Sequence, residues 1–409
     1  MAMLRQEVEP GEAGMDATAL DRLDRHVVRL VEEGRLPGFL VCVARGGRVA
    51  HLTCHGLRDI AAKAPVEPDT LWRIYSMTKP VTAVAALLLA AEGRLSLDDP
   101  LERYLPAFAA PRVYVGGEGT DVRTRPAAGP LLIRHLMTHT AGLTFGFYHT
   151  HPVDALYRAA GLESSVRPGS DLAETVELYA SLPLQFDPGT QWNYSVASNV
   201  LGRVIEVVSG QPLDTFFTER IFRPLGMTDT GFQVSDEQAE RLAELYGDAD
   251  DGGITPITGL PVRGRPRFLS GSGGLVTTAH DWHRFMEMLR RRGELDGVRL
   301  LAPHTMAEMT RNQLPGGADL RSFGSRPAHD ERGNDGVGFG LGVSVVVDPA
   351  RTLAPAGPGT YGWSGVATTT FWVDPGRELT VQFLTQLRPG RSLRLFPELR
   401  RLVHEAVTD

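Results

Sequence analysis

The 409-residue sequence predicts an α+β fold: an α/β lobe with an antiparallel sheet flanked by helices, plus an inserted all-helical lobe. Three observations predict it. Strand-like segments lie near both chain ends, amphipathic helices lie outside them, and the middle is mainly helical with few alternating strands. Residues 1–94 and 262–409 are therefore assigned to the sheet lobe and 95–261 to the helical lobe. The length, two to three times the ~150 residues of a typical domain, accommodates both.

Taken in order, Asp16 to Glu33 has apolar residues at Leu20, Leu23, Val27, Leu30 and Val31, a helical period closed by Gly34. GFLVCVARGGRVAHLTCHG follows, two β-rich runs about Gly46-Gly47, a two-glycine hairpin signal. SMTKPVTAVAALLLAAEG, from Ser76, is rich in helix formers, and Pro80 fits only in a first turn, so Ser76 sits at or just before a helix start. From Leu95 to Pro261, helical segments alternate with Gly/Pro-rich loops such as VYVGGEGTDVRTRPAAGP. VGFGLGVSVVVDP, YGWSGVATTTFWVDP and RELTVQFLTQL then read as successive strands, the last two joined by a turn at Asp374-Pro375-Gly376-Arg377. A final helix is expected from Ser392 to Ala406, with apolar positions at Leu393, Leu395, Leu399, Leu402 and Val403.

Composition narrows the function. Hydrophobic (42%) and charged (22%) fractions are those of a folded globular chain. A net charge of −7 without a basic stripe argues against nucleic acid as a partner. The longest apolar run, Val81 to Ala91, is far short of the ~20 residues that span a bilayer, and MAMLRQEVEPGEAG lacks the apolar core of a secretory signal, so a cytoplasmic location without membrane contact is expected. Cys42 and Cys54 lie in strand-like stretches and are expected to be buried free thiols. Of 42 basic residues only Lys63 and Lys79 are lysine. Arginine keeps its proton at ordinary pH whereas a desolvated lysine can act as a base, which singles out Lys79; Lys63, in the loop-like AAKAP, carries no such demand.

Three segments could carry chemistry. In Ser76-Met77-Thr78-Lys79, positions i and i+3 share a helix face, so the hydroxyl and the amine can meet, and the free N–H groups of a helix start favour negative charge on a reacting acyl oxygen. Tyr194-Ser195 follows a Pro-Gly turn and precedes the helix from Ser198 to Ser209. Its phenol could relay a proton to a leaving group if a nearby cation lowered its pKa; alternatively it is a buried, satisfied tyrosine. Tyr361-Gly362-Trp363-Ser364-Gly365-Val366 is a strand whose two glycines would admit a ligand to the backbone and supply an oxyanion-hole N–H. No Gly-x-Ser-x-Gly occurs; His135 and His139 lack the Glu of H-E-x-x-H, and His280-Asp281-Trp282-His283 has no clear third ligand. Structural or surface roles are expected for these histidines, with no metal. A Ser/His/Asp triad assembled across the fold stays open from sequence.

In order, SMTK, Tyr194-Ser195 and Trp363-Ser364-Gly365 resemble the three motifs of serine β-lactamase-like hydrolases: S-x-x-K, Y-x-N or Y-S-x, and K-T-G or W-x-G. LLIRHLMTHTAGL, FDPGTQWNYS, FRPLGMTDTGF and GSGGLVTTAHDWHRFMEML also look like family segments, extending the resemblance over about residues 16–405. It implies the β-lactamase/transpeptidase-like fold with an active site between the two lobes. It further implies Ser76 as nucleophile, Lys79 as base, Tyr194 as proton shuttle, the N–H groups of Ser76 and Val366 as oxyanion hole, and no cofactor. Val196 replaces the class C asparagine and Trp363-Ser364-Gly365 the Lys-Thr-Gly, so an indole stands where a cation would meet a carboxylate. That pattern is similar to family VIII carboxylesterases and implies a small-molecule ester substrate. An acyltransferase, a weak β-lactamase or amide hydrolase, and a catalytically silent binding protein are the alternatives. The loops Arg112 to Pro130 and Phe145 to Gly169 are expected to border the cleft, with Trp363, Ser364, Gly365, Phe147 and Tyr148 as substrate-binding residues; for Phe147 and Tyr148 ordinary packing under a long loop is the alternative, and acyl-chain preference and oligomeric state are left open.

Overall fold

The computed structural model describes residues 3–249, 252–258, 262–325, 332–388 and 395–408. Its first helix, Ala17–Glu32, is capped by Asp16, whose carboxylate accepts the Thr18 N–H at 2.8 Å. Strands Gly38–Arg45 and Arg48–Asp59 form the expected hairpin, with Gly46 and Gly47 at φ 60° and 84°. They belong to an eight-stranded sheet with spatial order Val337–Phe339, Ser344–Val346, Tyr361–Gly365, Thr369–Asp374, Leu379–Leu384, Gly38–Arg45, Arg48–Asp59, Ala64–Pro65. The two ends of the chain meet where Gly38–Arg45 pairs antiparallel with Leu379–Leu384, Val43 opposite Val381.

Period-two alternation explains how the central strands bury both faces. Phe39, Val41 and Val43 join Leu20, Leu23 and Val27 and the C-terminal helix Leu395–Ala406 in one core. Leu40, Cys42 and Ala44 point the other way, into the larger core with Trp282, Phe285 and Met286 of helix Ala279–Arg290. That core continues into helices Thr78–Ala91 and Ala197–Ser209, the former buried from Thr78 through Leu89. The result is the β-lactamase/transpeptidase-like α+β fold, a large antiparallel sheet flanked by helices.

The structure departs from the sequence reading at two places. Within the Gly/Pro-rich stretch after Arg112, Arg112–Gly116 and Arg123–Pro126 pair as a hairpin, turned through Gly117 at φ 90° and extended by Tyr114 N–H to the Leu184 carbonyl. The strands are too short to alternate visibly, and one partner is distant in sequence. Likewise Tyr246–Asp248 and Ile254–Pro256 form a three-stranded sheet with Leu387–Arg388. The last helix is described from Leu395; Ser392 and Leu393 lie outside the described residues. Cys42 is buried and Cys54 half-buried, both free, with burial pushing each thiol up to about 12. Among the described residues no helix is long and apolar enough to cross a membrane, and no group of three or more His, Cys, Asp or Glu is placed to hold a metal.

Candidate active site

The site begins at a sharp turn. Strand Leu71–Arg73 pairs with Val276–Thr278, and the Ile74 N–H bonds to the Leu275 carbonyl at 3.1 Å. Tyr75 then adopts a left-handed conformation, φ 44°, costing an L-residue about 1–2 kcal/mol. Its ring sits under the Arg388 guanidinium, 5.9 Å from the centroid. The inversion throws the chain into the 3-10 turn Tyr75–Met77 and then helix Thr78–Ala91, with Pro80 in the first turn. Ser76 therefore stands just before the helix start, as the sequence requires.

One turn on, the Lys79 amine lies 3.1 Å from Ser76 Oγ and donates to the Ser272 carbonyl at 2.8 Å. Lys79 is 2% exposed, and burial holds its amine well below the ordinary lysine value. Nζ also sits over the Tyr194 ring, 4.6 Å from the centroid. The Tyr194 hydroxyl receives the Trp363 indole N–H at 3.5 Å and lies near enough to the Ser76 side chain for it to favour the ionised phenol. Burial pushes this phenol up to about 12, outweighing both contacts. The sequence argument allowed for a cation lowering that pKa; the structure shows the reverse, because burial of the phenol itself dominates. Tyr194 is accordingly a neutral phenol. No triad forms at Ser76 among the described residues. His51 meets Asp24 Oδ1 and Thr53 Oγ1 through the same Nε2, which cannot relay a proton between them.

Strand Tyr361–Gly365 runs beside the Tyr75–Met77 turn, and its glycines are explained by backbone packing. A Cβ on Gly365 would lie 2.4 Å from the Ile74 carbonyl and 2.3 Å from Thr369 Oγ1; one on Gly362 would lie 2.2 Å from the Phe371 carbonyl. The space expected to admit ligand is filled by protein on the side where a Cβ would project. This close approach sets Val366, 39% exposed, near the Ile74–Ser76 turn, and neither the Ser76 nor the Val366 N–H has a hydrogen-bond partner among the described residues. Ser364 Oγ is tied to Thr370 Oγ1 at 3.1 Å. Gly365→Ala is expected to cost about 1–3 kcal/mol of stability through overpacking and to slow turnover at least tenfold; thermal melts alongside ester kinetics check both.

Aromatic rings flank Tyr194 on two sides. Trp363 lies at 5.4 Å between centroids and packs edge-on against Phe339 at 5.2 Å. Opposite is Phe145 at 5.5 Å, which stacks on Phe147 at 4.7 Å and meets Tyr148 at 5.8 Å. Phe147 and Tyr148 thus reach the site through Phe145, a residue the sequence did not single out; Phe147 is 45% exposed at the rim. The loop is held by buried Asp154, which accepts from Thr144 Oγ1, Gln185 Nε2, the Thr150 and His151 N–H groups and Thr150 Oγ1. His139 is structural, as expected, but not remote. Its ring lies 4.8 Å from Tyr194, its Nδ1 accepts the Ser195 N–H at 3.2 Å, and burial holds it well below the ordinary histidine value. Nothing in its sequence context signals this, since its left-handed backbone (φ 55°) and its partners are set by tertiary structure.

A family model described as Beta-lactamase matches residues 23–405. The chain belongs to the beta-lactamase family. Within this family it is 35% identical over 404 residues to esterase EstB of Burkholderia gladioli, covering 94% of each chain. It is 31% identical over 362 residues to lovastatin esterase of Penicillium rubens, covering 84% of this chain and 87% of that one. The structure matches EstCE1, described as a hydrolase with promiscuous acyltransferase activity, with a TM-score of 0.80, 29% identity, and coverage of 95% and 98%. These likenesses support a hydrolase on the beta-lactamase fold.

Proposed function

We propose that the chain is a serine carboxylesterase of the family VIII type, hydrolysing small carboxylic esters through an acyl-enzyme on Ser76. The observation that carries this reading is the contact of half-buried Ser76 Oγ with the desolvated amine of Lys79 at 3.1 Å, the amine lying over the Tyr194 ring. The amine takes the Ser76 proton as Oγ attacks the ester carbonyl, and the N–H groups of Ser76 and Val366 receive the oxyanion. The tetrahedral intermediate collapses, the C–O bond to the alcohol breaks, and Tyr194 passes a proton to the departing alkoxide, recovering one from Lys79. Water then attacks the acyl-enzyme by the same steps reversed. Trp363, Phe145 and Phe147 offer apolar and stacking surface and no cation, which suits an uncharged ester and disfavours a β-lactam carboxylate.

Acyl transfer to an alcohol is the second reading, favoured by the likeness to EstCE1 and by an exposed aromatic rim able to hold an apolar acceptor. One experiment addresses both. Wild-type enzyme is assayed on short-chain p-nitrophenyl esters and a chromogenic cephalosporin, with intact-mass detection and peptide mapping of any adduct. Ester turnover with a transient adduct on the Ser76 peptide and little cephalosporin cleavage is the expected result. A persistent Ser76 adduct discharged by added alcohols but not by water selects acyl transfer. An adduct on another residue, or none, overturns the mechanism.

A further inference from the structure

A neutral lysine amine has two N–H bonds and one lone pair, so its usefulness as a base depends on where the N–H bonds are held. Here one is committed to the Ser272 carbonyl at 2.8 Å, which leaves the lone pair free to face Ser76. Ser272 lies in the glycine-rich turn Ser270-Gly271-Ser272-Gly273-Gly274, which has no regular backbone ladder to hold it. Besides the Gly273 and Gly274 N–H bonds to the Ser270 carbonyl, it is clamped by side chains. Thr82 Oγ1 donates to the Gly271 carbonyl at 2.7 Å, and Thr78 Oγ1 accepts the Leu275 N–H at 3.2 Å.

The clamp nearest Ser272 comes from helix Ala197–Ser209. Asn199, fully buried, accepts both the Ser272 N–H and the Ser270 hydroxyl at 3.0 Å. A backbone N–H can only donate, so the amide oxygen is fixed toward the turn and the NH2 toward Tyr179 Oη at 3.3 Å. Gly271 closes the fit, since a Cβ there would lie 2.5 Å from the Ser198 carbonyl.

We infer that Asn199 is a positioning residue for the base, holding the Ser272 carbonyl so that the Lys79 lone pair faces Ser76. The inference deepens the esterase reading and rests on Lys79 being the base. It is tested by the rate of covalent labelling with a p-nitrophenyl phosphonate and by pH profiles of kcat/KM. Asn199→Leu removes the acceptor and is expected to slow labelling at least tenfold, with KM changed less than threefold. Asn199→Asp keeps an acceptor oxygen but adds negative charge near the amine, so its acid limb is expected to move to higher pH and its activity to recover at alkaline pH. A folded Asn199→Leu labelled at the wild-type rate, or Asn199→Asp with its acid limb unmoved, overturns the inference. If Asn199→Leu does not fold, Ser270→Ala decides: labelling slowed two- to tenfold is expected, and an unchanged rate overturns it. Lys79→Arg in the same series separates the two levels. Activity there would sink the esterase mechanism, whereas an inactive Lys79→Arg beside a normal Asn199→Leu sinks only the role of Asn199.

Discussion

Lys79→Arg is expected to fold and to lose ester turnover by about a thousandfold or more, near the upper end of what removing a general base costs. The substitution puts a permanent cation where the desolvated amine would act and removes the ability to take the Ser76 proton. Lys79 has the surroundings of a base: 2% exposure, a carbonyl at 2.8 Å, the Ser76 hydroxyl at 3.1 Å and an aromatic face at 4.6 Å. Burial lowers its pKa, and no carboxylate offsets the shift. Wild-type kcat/KM should therefore fall toward acid pH as the amine takes up a proton, with a limb below the ordinary lysine value. The same shift makes a stability prediction of definite sign. Between the depressed folded pKa and the ordinary unfolded value the unfolded chain binds more protons, so stability rises with pH across that window. Lys79→Met, of similar volume, should remove this slope and be inactive yet no less stable at neutral pH. A folded Lys79→Arg retaining a tenth of wild-type turnover would end the assignment.

What the sequence shows of this molecule is what local chemistry determines. Gly46-Gly47 marks its hairpin because few other residues take positive φ twice in succession, and Ser76 and Lys79 declare themselves through one helical turn and the scarcity of lysine. The strands from Tyr361 to Leu384 are legible because they are long and adjacent. What is hidden depends on residues far apart in the chain. Asn199 reaches residue 272, His139 touches Tyr194, and Phe145 is the buried partner of a pair whose exposed member drew attention. The glycines of the late strand were legible as a demand for close approach. What approaches, the Ile74 and Phe371 backbone, needed coordinates.

Tyr194→Phe should lower kcat by about 10²–10⁴-fold on esters of ordinary alcohols, the usual range for a lost general acid or base. The ring packing that holds it, against His139 at 4.8 Å, Trp363 at 5.4 Å and Phe145 at 5.5 Å, survives the change, so melting temperature and KM should move little. The leaving group makes the test specific. With the phenol at about 12, Tyr194 is protonated at any assay pH and can serve as an acid toward a departing alkoxide. An alkyl alkoxide needs that proton, whereas p-nitrophenolate is stable without it. The loss should therefore be much larger on an alkyl ester than on the p-nitrophenyl ester of the same acid, and on the latter the acyl-enzyme should accumulate if Tyr194 also orients the attacking water. Equal losses on the two esters would show that the hydroxyl merely orients Ser76. Near-normal turnover on both would reduce Tyr194 to the aromatic floor under Lys79.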